Sequence, residues 1–112
     1  MSHSSEPTSV QVVLMTAPDL EVAERLARTL VEERLAACVN LVPGIRSVYR
    51  WEGAVEEANE VLLIAKTRSD CVDALGARVR DLHPYDLPET LALAVTGGAT
   101  DYLDWVCAEV GS

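Results

Sequence analysis

No stretch of this 112-residue chain approaches the ~20 consecutive apolar residues of a membrane-spanning helix, and its start lacks the basic and apolar segments of a secretory signal. These absences lead us to expect a cytoplasmic protein with no membrane partner. Cys38, Cys71 and Cys107 form an odd set without CxxC spacing, so neither a disulfide framework nor a zinc knuckle is indicated, and reduced thiols are expected. Basic side chains are scarce, 9 against 18 acidic ones, which gives a formal charge of −9. Such a balance repels phosphate backbones and argues against nucleic acid as a partner. It points to solubility more than to a cation site. Also missing are internal repeats, a nucleophile paired with a base, Walker spacing and a defined metal triad, so no enzyme is expected. Gly97-Gly98-Ala99-Thr100 precedes a helix, but without a lysine it reads as turn and cap.

What is present is a regular alternation of short elements. Residues 1–9 are polar and patternless and read as a flexible tail, leaving 10–112 as a single domain. Val10 to Met15 reads as a strand that stops at Thr16-Ala17-Pro18-Asp19. From Asp19 to about Arg34, Ala23, Leu26, Ala27 and Leu30 recur at helical spacing, with Glu21/Arg25 and Glu24/Arg28 as i,i+4 pairs on the other side. Ala36 to Trp51 reads as a long strand region interrupted by Pro43-Gly44, a bulge or edge signal. After a turn at Glu52-Gly53, the run Val61-Leu62-Leu63-Ile64-Ala65 has the pattern of a central strand. Val72, Leu75, Val79 and Leu82 then mark a second helix that must end before Pro84. Leu91, Leu93 and Val95 alternate as a fourth strand, and a helix from Thr100 to Val110 follows. The order β-α-β-β-α-β plus a C-terminal helix predicts an α+β, ferredoxin-like domain with an antiparallel sheet.

This pattern does not suit a monomer. The second strand region is long enough to overshoot the shorter first and fourth strands and to leave a hairpin overhang. Tyr49 and Trp51 lie at its far end, and the last helix shows Tyr102 and Trp105 on one side with Leu103, Val106 and Val110 on the other. At about 150 Å² or more apiece, four such aromatics reach the upper limit of exposed apolar patch on a monomer, which predicts burial between subunits.

Candidate chemistry is sparse. His83, at a helix end before Pro84, can present an imidazole nitrogen to copper or zinc, with Asp86 and Glu89 as nearby oxygen donors. The competing role is a rigid turn in which His83 and Tyr85 satisfy carbonyls. Cys38 sits in an apolar strand, where burial is the default for a thiol. Lys66, ending the central run, either snorkels or meets an anion. In a small-metabolite reading, clefts between subunits hold an anion against Lys66, with Tyr49 and Trp51 stacking on its flat part. A pure protein scaffold is the third alternative.

Taken in order, Thr16-Ala17-Pro18-Asp19, Leu35-Ala36-Ala37-Cys38-Val39-Asn40, Ser47-Val48-Tyr49-Arg50-Trp51-Glu52-Gly53, Lys66-Thr67, His83-Pro84-Tyr85, Pro88-Glu89 and Asp101-Tyr102-Leu103-Asp104-Trp105 resemble the CutA divalent-ion tolerance family. The resemblance covers nearly the whole chain. It implies a ferredoxin-like subunit, a tight homotrimer joined through extended strands, and a cytoplasmic role in divalent-cation tolerance that includes copper binding. On this basis His83, Cys38 and Glu89 are the expected metal ligands, for copper or zinc that folding does not require. Met15 stands where some family members carry a cysteine proposed as a copper ligand, and its thioether suits Cu(I) better than Cu(II).

Overall fold

The computed structural model describes residues 8–111 and contains the strands β1 (Val10–Ala17), β2 (Cys38–Trp51), β3 (Ala54–Arg68) and β4 (Leu91–Ala94), with helices α1 (Leu20–Glu32), α2 (Val72–Leu82) and α3 (Thr100–Glu109). A single 3-10 turn, Ser69–Cys71, leads into α2. The sheet order is β2-β3-β1-β4, and β1 with β3, β1 with β4 and β2 with β3 all pair antiparallel. This is the ferredoxin-like arrangement anticipated from the element order. Most of the expected tail, through residue 7, lies outside the described residues. Thr8 and Ser9 are held in place: the Thr8 N–H donates to Val95 O at 2.7 Å, and Ser9 O accepts from the Ser69 N–H at 2.7 Å.

Local sequence explains the helix boundaries. The Asp19 carboxylate caps α1 by accepting from the Val22 N–H at 2.9 Å, and Ala23, Leu26 and Leu30 form its fully buried stripe. The expected Glu21/Arg25 and Glu24/Arg28 ion pairs do not form within 4.0 Å; the side chains are left to water, where such pairs contribute little. Instead α1 is tied to α2 by a two-pronged bond from Arg78 to Glu33, with Nε and Nη2 each 2.9 Å from a carboxylate oxygen. The C-terminus of α3 has a comparable clamp. Arg34 donates to Gly111 O (2.6 Å) and Ala108 O (3.1 Å), while Arg68 donates to Cys107 O and Val110 O (both 3.0 Å). Two guanidinium groups thus satisfy carbonyls that the helix end leaves open and oppose its negative dipole.

The two faces of the sheet have different fates. Val13, Met15 and Ala17 of β1 and Val61, Leu63 and Ala65 of β3 pack under α1 and α2 with Leu26, Leu30, Leu75 and Val79, forming the main core. Val12 and Leu14, their partners Lys66 and Ile64, and Leu93 and Leu91 across from them on β4 point the other way. Leu91 and Leu93 are more than half exposed. Among the described residues nothing covers this face except at the Val10 end, where Val106 of α3 and Val110 just beyond it close a second cluster with Val10 and Cys71. Tyr102 and Trp105, on the outer side of α3, remain 43% exposed with their rings 5.6 Å apart.

The third strand begins seven residues before the apolar run that signals it in the sequence. β2 and β3 continue together beyond the end of β1, from the pair Ile45/Glu60 out to Trp51/Ala54. The bulge sits where this two-stranded ribbon leaves the sheet: Pro43 and Gly44 stand between partners Val42/Leu62 and Ile45/Glu60, with Gly44 at φ +84°. The ribbon closes with a two-residue turn in which Glu52 and Gly53 both have positive φ, the type I′ geometry that matches strand twist. This extension stretches the molecule to 50 × 30 × 23 Å and its radius of gyration to 15.1 Å. A compact domain of this length would have a radius of about 13 Å.

Candidate functional site

The connector from α2 to β4 must pass the end of β1, and in doing so it faces the ribbon. Between them lies a cleft of about 770 Å³. One wall is Ser47–Trp51 of β2, the other Pro84–Leu87 and Glu89, with Thr16 and Glu60 at its base. Glu60 is the residue on which the cleft turns. It is the first β3 residue past the end of β1, is only 9% exposed, and accepts a hydrogen bond at Oε2 from the Tyr85 hydroxyl at 2.9 Å.

His83 fixes the connector from below. It is buried, its Nε2 lies 2.7 Å from Thr16 O, and its Nδ1 accepts the Tyr85 N–H at 3.1 Å. A neutral ring protonated on Nε2 satisfies both contacts, leaving no free nitrogen lone pair for a metal. Tyr85 then packs against the imidazole, with ring centroids 4.6 Å apart. The pKa of Tyr85 is pushed up to about 12, first by burial, then by the hydrogen bond to Glu60 and the charge of that carboxylate. Glu89 stands at the exposed rim, yet desolvation by the cleft wall, and secondarily the Glu60 charge, raise its pKa above the ordinary carboxylate value.

The Tyr85 shift has a definite sign. The folded protein holds the phenol proton more tightly than the unfolded chain does, so the stabilisation is complete below pH 10.0 and is lost as pH rises towards about 12. An ultraviolet titration should therefore show one of the three tyrosines ionising last, near pH 12, and Tyr85→Phe should delete that step. If the last step survives in Tyr85→Phe, the Glu60 contact does not govern it.

The structure divides the residues singled out from the sequence into separate places. Tyr49, Trp51 and Glu89 meet in the cleft, where Tyr49 and Trp51 are 44% and 41% exposed. Cys38 and Lys66 pair across β2 and β3 on the uncovered sheet face, where the Lys66 ammonium bonds the Asn40 side-chain oxygen. Four residues of β3, about 13 Å of strand, separate that pair from Leu62, the partner of Thr16 above His83. Within one chain His83, Cys38 and Glu89 are not brought together, and Lys66 does not line the cleft. Among the described residues no group of three or more His, Cys, Asp or Glu side chains is arranged to hold a metal ion. Met15 is fully buried in the main core and Cys71 is buried too; desolvation is the largest cause raising the Cys71 thiol pKa. Glu60 is the site residue that sequence reasoning missed, and Tyr85, read there as a turn residue satisfying a carbonyl, instead donates its hydroxyl to Glu60.

The model of a family described as CutA1 divalent ion tolerance protein matches residues 11–109. A divalent-cation tolerance protein CutA of Thermus thermophilus is 52% identical over 101 residues, covering 90% of this chain and 98% of that protein. A solved structure from the same species superposes with a TM-score of 0.90 at 51% identity, over 91% of this chain and 99% of the other. The human protein named CutA is 50% identical over 100 residues, which are 89% of this chain and 56% of the human protein. With the matched segment spanning nearly its whole length and the fold reproduced, the chain belongs to the CutA1 divalent ion tolerance family.

Proposed function

We propose that this chain serves divalent-cation tolerance as a non-enzymatic, cytoplasmic homotrimer that takes up copper or zinc at the cleft carboxylates rather than at His83. The observation that carries the metal assignment is the pairing of a nine-tenths buried carboxylate, Glu60, with Glu89, whose proton affinity is raised by desolvation and, secondarily, by the Glu60 charge. A divalent ion relieves that repulsion, with water completing its shell. The trimer is supported by the apolar sheet face that a single chain leaves open, and the cytoplasmic location by three free thiols.

Calorimetric titration with Cu(II) and Zn(II) tests the assignment, using protein without residues 1–7 because His3 and the amino terminus chelate copper. Glu60→Gln or Glu89→Gln should weaken binding at least tenfold, about 1.4 kcal/mol. Protons compete for the same oxygens, so affinity should fall as pH drops through the raised pKa of Glu89. Unchanged affinity in both variants would remove the carboxylates from the site, and no binding by the parent protein would remove the metal reading. A second reading, small-molecule binding, is favoured by the size of the cleft, about 770 Å³, and by its aromatic walls. Small-molecule sites span roughly 300–1,000 Å³.

A further inference from the structure

A hydrated divalent ion uses neither most of this volume nor the rings that line it, so the walls themselves carry information about a larger ligand. Tyr49, Trp51 and Tyr85 supply aromatic surface on both sides, and Glu60, Asp86 and Glu89 supply three carboxylates against one guanidinium, Arg50. Arg46, the next basic residue on the ribbon, is occupied by Glu57, its Nε lying 3.0 Å from a carboxylate oxygen. Lys66, the cation expected from the sequence to meet an anion, is on another face. Aromatic faces attract cations through their quadrupole, and neighbouring carboxylates, the buried Glu60 above all, add to that attraction.

We propose that the cleft binds a small organic cation, an alkylated ammonium that rests on Tyr49 and Trp51 with its charge towards Glu60 and Glu89. A quaternary or tertiary ammonium suits the rings, which a metal ion leaves unused, because it is weakly hydrated and has apolar substituents to lay against them. The Tyr85 hydroxyl holds one Glu60 oxygen at 2.9 Å, so the carboxylate is positioned before the ligand arrives. This inference deepens the small-molecule reading and shares Glu60 and Glu89 with the proposed metal site, but it alone depends on the rings.

Calorimetric titration of the full chain with choline, and with dimethylbutanol, in which a neutral tert-butyl group replaces the trimethylammonium, provides the test. Choline should bind at least tenfold more tightly than the alcohol. Trp51→Leu should weaken choline at least tenfold and leave zinc affinity unchanged, whereas Glu89→Gln should weaken both. Loss of zinc binding with choline binding intact would sink the metal assignment alone. Equal affinity for choline and the alcohol, or binding of inorganic phosphate in their place, would overturn the organic-cation site. So would the absence of binding by either probe with the Trp51 indole proton protected from solvent exchange, since the cleft would then be filled by a second copy of the chain.

Discussion

Glutamate at both Leu91 and Leu93 is expected to turn the proposed trimer into monomers while leaving the single chain folded. The two leucines are 57% and 51% exposed on the short edge strand β4, so in one chain their replacement disturbs little packing. Opposite them on β1 lie Leu14 and Val12, and on the same face Ile64 of β3, which together make the apolar surface available to another subunit. Burying an unpaired carboxylate there costs about 3 kcal/mol or more per site, far more than a surface substitution. Light scattering at micromolar concentration should report a monomer mass, and circular dichroism should remain that of the parent. Leu20→Glu, on the helical side and 46% exposed, adds the same kind of charge elsewhere and should leave the assembly intact. An unaltered oligomer in the β4 variant would show that this face is not the interface.

His83→Ala is expected to destabilise the fold strongly and to leave metal affinity where it was. Removing the imidazole strips the Thr16 carbonyl of its partner at 2.7 Å and the Tyr85 N–H of its acceptor at 3.1 Å. An orphaned buried polar group costs about 1–3 kcal/mol, before any loss from the cavity left behind. Urea denaturation and zinc titration of the same variant separate the two roles: a tenfold loss of affinity with stability unchanged would make His83 a ligand, contrary to its geometry here.

The two histidine roles were both open in the sequence because the deciding contact is remote. Thr16 and His83 are separated by 67 residues, and nothing near His83-Pro84-Tyr85 signals which carbonyl the ring will meet. The helices and the central run were readable because one repeating apolar face dictates each, as Leu26 and Leu30 do in α1 and Leu63 and Ala65 do in β3. The first half of β3 was hidden for the opposite reason. Glu56, Glu57, Asn59 and Glu60 break any alternation, since that half has no third strand or helix to bury against. It is strand by pairing with β2, not by hydrophobicity, and Gly53 at the turn was the available signal. Tyr49 and Trp51 were recognised from residue type and position, but Glu60 reads as one more surface acid until the connector folds over it. A carboxylate directly adjoining the run Val61–Ala65 was the clue to that burial.

The ribbon also shapes how the chain reaches its final state. Its strands are neighbours in sequence, joined by a two-residue turn, so zipping them involves a small loss of loop entropy and can proceed early. Closing the sheet is slower work, because β4 must find β1 from the far end of the chain, as in the pair Gln11/Ala94. In an isolated chain the outer ribbon therefore forms without a third strand beside it, and in the proposed trimer its final ordering becomes a second-order event whose rate is set by encounters between chains.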